Sequence, residues 1–194
     1  MRSAEFDRDR VLRSAMDVFI TKGYSNTSMQ DLKHATGLHP GSIYCAFKNK
    51  RGLLLAALEH YRNQRYTQFV TLFSQSPSVI EAITAYLDQV VDECEREQIK
   101  DCLLQKSLSE LAQQDVEVAD VICHMLKQWQ QALAEQLLLA QQHNEISYER
   151  DSQQLAQFLV MGIYGIRTFS HTHPEAGVLR RLAQDLIDYI KEWY

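Results

Sequence analysis

The sequence predicts an all-α protein, on three observations. Glycine and proline are scarce, seven and three among 194 residues, too few for the turns of an all-β or loop-rich fold. Apolar residues recur at helical spacing along most of the chain. The periodic stretches also begin and end on residues suited to helix termini. The expected architecture has about nine helices: an N-terminal three-helix helix-turn-helix domain over residues 1–52 and a C-terminal helical bundle over residues 53–194. A composition of 45% hydrophobic and 23% charged residues is that of a globular chain and excludes wholesale disorder.

The first helix starts near Asp7, whose carboxylate suits free backbone N–H groups, with Phe6 and Val11 spaced as a hydrophobic staple. Val11, Leu12, Ala15, Met16 and Phe19 form its buried stripe, and Gly23 ends it. Ser28 caps a second helix with Asp31 three positions on, an imperfect capping box, and Gly37 closes it. Pro40 opens a third helix at the position where a missing N–H costs nothing. This helix runs to about Phe47, with Ile43, Ala46 and Phe47 facing inward and Gly41, Ser42, Tyr44 and Cys45 outward. Asn49 caps a fourth helix, extending from Leu53 to about Phe73. Two short helices joined by a tight glycine-containing turn, behind a longer support, make a helix-turn-helix.

Charge separates the same two regions. Residues 1–52 carry nine Lys/Arg against five Asp/Glu, a net +4, and the other 142 residues carry 11 against 20, a net −9. A basic head on an acidic body is expected when only the head meets a polyanion.

Thr27-Ser28-Met29-Gln30-Asp31-Leu32, then Ala35-Thr36-Gly37-Leu38-His39-Pro40-Gly41-Ser42-Ile43-Tyr44, then Phe47-Lys48-Asn49-Lys50 and Leu53, resemble the N-terminal domain of the TetR/AcrR family of bacterial transcriptional regulators. The resemblance spans about residues 7–55. It implies that Ser28 to Thr36 is the positioning helix and Pro40 to Phe47 the recognition helix in the major groove. It places Thr27, Tyr44 and Lys50 at phosphates and Gly41 and Ser42 at base edges. Lys48 and Arg51 would add backbone contacts. His39 stands where a small hydroxyl usually caps the recognition helix, with a phosphate, a base or solvent as its expected neighbour. Gly52 replaces a common acidic residue, which implies a looser start to the fourth helix.

Beyond the head, helices are expected over Val79 to Glu97, Asp101 to Gln113, Val116 to His143, Ser152 to Ser170 and Ala176 to Glu192. Val160 to Ile166 is apolar on every face, which predicts burial on both sides. Val178, Leu179, Leu182, Ala183, Leu186, Ile187, Ile190 and Trp193 form a stripe on the last helix. These two helices are expected to build a homodimer as a four-helix bundle, as the resemblance also implies, through Gly162, Gly165, Leu179, Leu182, Leu186 and Ile190. A dimer presents two recognition helices and so reads a near-palindromic operator in double-stranded DNA.

The resemblance further implies a small-molecule effector pocket in the body. Its nominated walls are Tyr86, Cys102, Gln105, Met125, Trp129, Phe158, Met161 and Tyr164, with plain core packing as the competing role of each. Cys102, near a helix start, is also a candidate for sensing oxidants, and Arg167 for meeting an anionic ligand. The expected function is a dimeric, sequence-specific DNA-binding regulator, a repressor released by its effector. The alternative is a DNA-binding protein without an effector that acts through a protein partner.

Enzyme readings fare poorly. The sequence has no glycine-rich phosphate loop, no Gly-x-Ser-x-Gly and no Glu-x-x-His, so no catalytic residues are nominated. His171 and His173 read as an interhelix turn, and the scattered Cys45, Cys94, Cys102 and Cys123 lack zinc spacing, so neither a metal nor a cofactor is expected. The longest wholly apolar run, Leu53 to Leu58, is far short of the ~20 residues of a membrane span. The N-terminus lacks an apolar signal core, so the expected compartment is the cytoplasm.

Overall fold

The computed structural model describes residues 6–96 and 102–192. Nine helices are present among the described residues: α1 (Arg8–Lys22), α2 (Met29–Thr36), α3 (Pro40–Phe47), α4 (Lys50–Gln75), α5 (Val79–Glu95), α6 (Leu103–Leu111), α7 (Val116–Gln142), α8 (Ser152–Ser170) and α9 (Val178–Lys191). The expected stripe residue Trp193 lies outside the described residues.

These residues fall into two compact units. One lies within Met1–Arg65 and Asp101–His124, the other within Tyr66–Lys100 and Met125–Tyr194. A cut at 52/53 therefore differs from this division at two places: the first unit runs on along α4 to Arg65, and it also takes in α6 and the start of α7, which pack with the N-terminal helices. Their apolar residues Leu103, Leu104, Leu111, Val118 and Ile122 are buried, as are Val11, Leu12, Phe19, Leu32, Ile43, Leu54 and Leu58.

Local chemistry explains the helix ends of the first unit. Asp7 accepts the Arg10 N–H at 3.0 Å. Phe6 meets Phe47, ring centroids 6.2 Å apart. Gly23 takes φ 79°, and Gly37 sits in the left-handed region at φ 71°, ψ 3°, backbone that glycine adopts without steric cost. The capping box on α2 is complete, with Ser28 Oγ accepting the Asp31 N–H at 3.1 Å and Asp31 accepting the Ser28 N–H at 2.9 Å. Lys22 Nζ adds a 2.5 Å ion pair to the same carboxylate.

The second unit centres on Phe69, Ile83, Leu87, Val91, Leu133, Leu137, Leu159, Ile163 and Ile187. Within the chain, Ile163 and Ile166 of the apolar stretch Val160 to Ile166 point inward, while Met161 is 62% exposed and Gly165 is exposed. The expected places of Leu179 and Ile190 in the dimer interface are corrected. Leu179 and Ile190 belong to the chain's own core; α9 turns them onto the interior, leaving Leu182 and Leu186 half-buried. Gly162 lies against Leu186, and a Cβ there would meet its methyls at 2.5 Å. Gly165 faces open space.

Candidate nucleic-acid interface

α3 is a short helix with a buried side and an exposed side. Ile43 and Phe47 are buried and anchor it. Arg8 covers the Phe47 ring, 5.0 Å from its centroid. Gly41, Tyr44, Cys45 and Ala46 are exposed, with Tyr44 at 50%, and Ser42 is half-buried. Ala46 therefore corrects the expectation that it faces inward: Ile43 and Phe47 fill the inner side, and Ala46 falls between them on the outer arc.

The start of α3 is closed by Pro40 in its first turn and by His39, whose Nδ1 accepts the Gly41 N–H at 3.3 Å. His39 thus takes the capping role of the small hydroxyl it replaces. Beyond α3, the Asn49 N–H closes on the Phe47 carbonyl at 2.8 Å around Lys48, which has φ 68° and ψ −46°. This is the rarer, strained hand of a three-residue turn. It leaves the Lys48 side chain exposed.

The start of α4 is tight rather than loose. Asn49 Oδ1 accepts the Gly52 N–H at 2.8 Å. A Cβ on Gly52 would stand 1.9 Å from the Phe47 carbonyl oxygen, so glycine is what permits the two helices to meet here.

Two residues expected at phosphates have other work. Thr27 is 2% exposed, and its hydroxyl donates to the Gly23 carbonyl at 2.5 Å. Lys50 Nζ donates to the carbonyls of Tyr24 and Thr27, both at 2.9 Å, and sits 4.3 Å from the Tyr24 ring centroid. Desolvation is the main reason its ammonium loses its proton more readily than usual. Both side chains hold the α1–α2 turn. Ser28 is exposed, but its hydroxyl serves the α2 cap. Arg51 is likewise committed, its guanidinium forking onto Asp115 at 2.6 and 3.0 Å and reaching Glu117 at 2.8 Å. Sequence reasoning missed these carboxylates: they lie 64 and 66 positions away, beyond any local pattern.

The nominated effector residues divide. Tyr86, Trp129 and Tyr164 come together, with centroid distances of 6.4 and 6.1 Å, and Phe69 meets Tyr86 edge-on at 6.2 Å. Met125 is buried and Met161 points outward. Phe158 pairs with Tyr189 at 4.1 Å. Cys102, the half-buried first residue of the α6 cap, and Gln105 belong to the first unit. Arg167 is ion-paired with Glu93 at 2.8 Å in a largely buried setting, so its charge is already met within the protein.

Residues 11–57 match the family of bacterial regulatory proteins of the tetR type, and residues 79–186 match the tetracyclin repressor-like C-terminal domain. The chain belongs to the TetR family. It is 32% identical over 160 residues to the uncharacterized HTH-type transcriptional regulator YezE of Bacillus subtilis (strain 168), covering 81% of this chain and 82% of that one. It is 28% identical over 195 residues to the HTH-type transcriptional repressor ComR of Escherichia coli (strain K12), covering 99% and 91%. Among solved structures, a TetR regulator from Chloroflexus aurantiacus J-10-FL superposes with a TM-score of 0.83 at 24% identity over 95% and 94% of the chains. A cysteine mutant of the TetR-family regulator CifR, complexed with 26-bp double-strand operator DNA, superposes at 0.81 with 25% identity over 100% of both. The protein is thus a TetR-family DNA-binding transcriptional regulator. No helix among its described residues is long and apolar enough to cross a membrane.

Proposed function

We propose that this TetR-family protein is a cytoplasmic homodimeric repressor that reads a near-palindromic operator through α3 and leaves it when a small molecule binds the helical body. The observation that carries the DNA reading is α3 itself. Its anchors Ile43 and Phe47 are buried, while Gly41, Tyr44 and Lys48 remain outside. Gly41 and Ser42 meet base edges, where the missing side chain of Gly41 lets the backbone approach. Tyr44 and Lys48 meet phosphates, with Ser28 and His39, both exposed, bordering the same groove. Thr27 and Lys50 serve the interface indirectly, by fixing the turn from which α2 departs.

The homodimer reading is supported by the outer face of α8 and α9, where Met161, Phe169 and Tyr189 are exposed beside Gly165. An apolar patch of this kind calls for a partner, and a second copy related by a two-fold axis supplies one. Leu182, Leu186 and Gly162 lie along the same pair of helices. The effector reading rests on the half-buried aromatic row of Tyr86, Trp129 and Tyr164. Such a ligand releases DNA only by binding the two states unequally. Repression as the sign of regulation follows the name of the relative ComR.

The test is enrichment of genomic DNA fragments on the purified full-length protein at near-physiological salt, followed by sequencing. Recovery of one shared near-palindrome is expected. Recovery of nothing above background refutes the reading.

A further inference from the structure

The α1–α2 turn and the start of α4 flank the segment that contains α2 and α3. Each is gripped by a carboxylate from α6 or the α6–α7 turn. At the first point, Glu110 Oε2 accepts the Ser25 N–H at 3.0 Å. The carboxylate sits over Gly23, where a Cβ would come within 2.2 Å of its Oε1. Its charge also supports the ammonium of Lys50. At the second point, Asp115 holds Arg51 through two parallel hydrogen bonds and with its Oδ1 also accepts the Val118 N–H at 3.1 Å, so one carboxylate starts α7 and holds α4.

Arg51 is a poor choice for helix stability, because a cation in the first turn opposes the helix dipole. The pair is also partly exposed, and exposed pairs add little to stability. A forked guanidinium–carboxylate contact does fix orientation as well as distance. Orientation is what a recognition helix requires.

We propose that Asp115 and Glu110 are positioning residues for DNA recognition, setting the attitude of α3 by clamping the two ends of the segment that carries it. This rests on the reading of α3 as the recognition helix. Arg51 is then a clamp partner, and its guanidinium is not available to phosphate.

The experiment uses the full-length protein, the operator recovered above and a random duplex of equal length, with binding followed by fluorescence anisotropy across salt. The variants are Arg51→Ala, Asp115→Asn, their double, and Glu110→Ala. Asp115→Asn retains a side-chain oxygen for the α7 cap. Circular dichroism melts establish that each variant is folded. Expected is a loss of about tenfold in operator affinity for each single variant, comparable to one lost base contact. Random-duplex affinity and salt slope stay at wild-type values. The double variant is no weaker than Arg51→Ala alone, because the two groups act as a unit.

Three results overturn the clamp. One is tighter binding of Asp115→Asn to both duplexes with a salt slope steeper by about 0.9, which makes Arg51 a phosphate contact that Asp115 restrains. Another is an unmoved operator affinity in folded Asp115→Asn and Glu110→Ala. The third is additive loss in the double variant. Wild-type protein that binds no operator at all removes the underlying DNA reading, and the clamp with it, and is distinguished by the absence of any wild-type signal.

Discussion

Lys50 spans the carbonyls of Tyr24 and Thr27, while Lys48, two residues earlier, extends into solvent from a strained turn. The two lysines should separate in one pair of measurements. Lys50→Met removes both donors from the α1–α2 turn and is expected to cost about 1–3 kcal/mol of stability, with operator affinity falling but the salt slope unchanged. Lys48→Ala is expected to leave the melt where it is, weaken binding to every sequence, and reduce the salt slope by about 0.9. A thermal melt beside a salt titration checks both. Asp31 gives the acid side of stability. Its carboxyl is held well below the usual range, chiefly by the Lys22 hydrogen bond and then by Ser28. A lowered folded value means that its contribution is fully present above the ordinary carboxylate range near pH ~4. It is lost as pH falls from there toward the folded value. Asp31→Asn should flatten that limb of the melting temperature plotted against pH.

At the scale of elements, the junction between α3 and α4 depends on an absent side chain. Gly52→Ala sets a methyl against the Phe47 carbonyl, backbone that cannot step aside, and is expected to cost about 1–3 kcal/mol and to weaken operator binding because α3 moves. A melt and an operator titration on the same preparation test it. This junction also marks where the sequence was legible. Asp7, Ser28 with Asp31, Pro40 and Asn49 were readable as starts because a cap acts within three or four residues. The bounds of α3 and α8 emerged as expected for the same reason. The partners of Lys50, Arg51 and Arg167 were not readable, since they stand 23 to 74 positions away and only the packed chain brings them together. Gly52 itself looked like a weakened cap, because a missing carboxylate is visible in a sequence and a close carbonyl is not. Ala46 went astray for another reason. An eight-residue helix has barely two turns, so one misassigned position shifts its inner face.

For the whole molecule, the helical class was legible from scarce glycine and proline, whereas the net positive charge of residues 1–52 is largely offset in the first unit, which also takes in Glu110, Asp115, Glu117 and Asp120. What periodicity left open was the direction of the apolar faces in α8 and α9. A helix apolar all round does not say which side its own chain covers. Leu179 and Ile190 turned out to be core, and Met161 and Phe169 lie outside. The homodimer reading makes Met161→Glu decisive. A charge on that exposed face costs the folded chain little but opposes a two-fold partner. Sedimentation is expected to find the variant monomeric with an unchanged melt at low concentration. Its operator affinity should fall far below wild type, because a single head no longer gains from its neighbour's half-site. Dimeric Met161→Glu protein would refute that arrangement of the interface.

Trp129, flanked by Tyr86 and Tyr164 at about 6 Å on either side, has an optical consequence. Light absorbed by either tyrosine is expected to pass to the indole over so short a gap, so that Trp129 dominates the emission of the three. With Trp193, the second of the two tryptophans, replaced by phenylalanine, the protein carries its own single lamp in the middle of the helical body. If the proposed effector binds beside Trp129, it is expected to change that emission, so a library can be screened in a fluorimeter with neither label nor DNA in the cuvette; compounds that release the operator but leave the emission unmoved would refute that site.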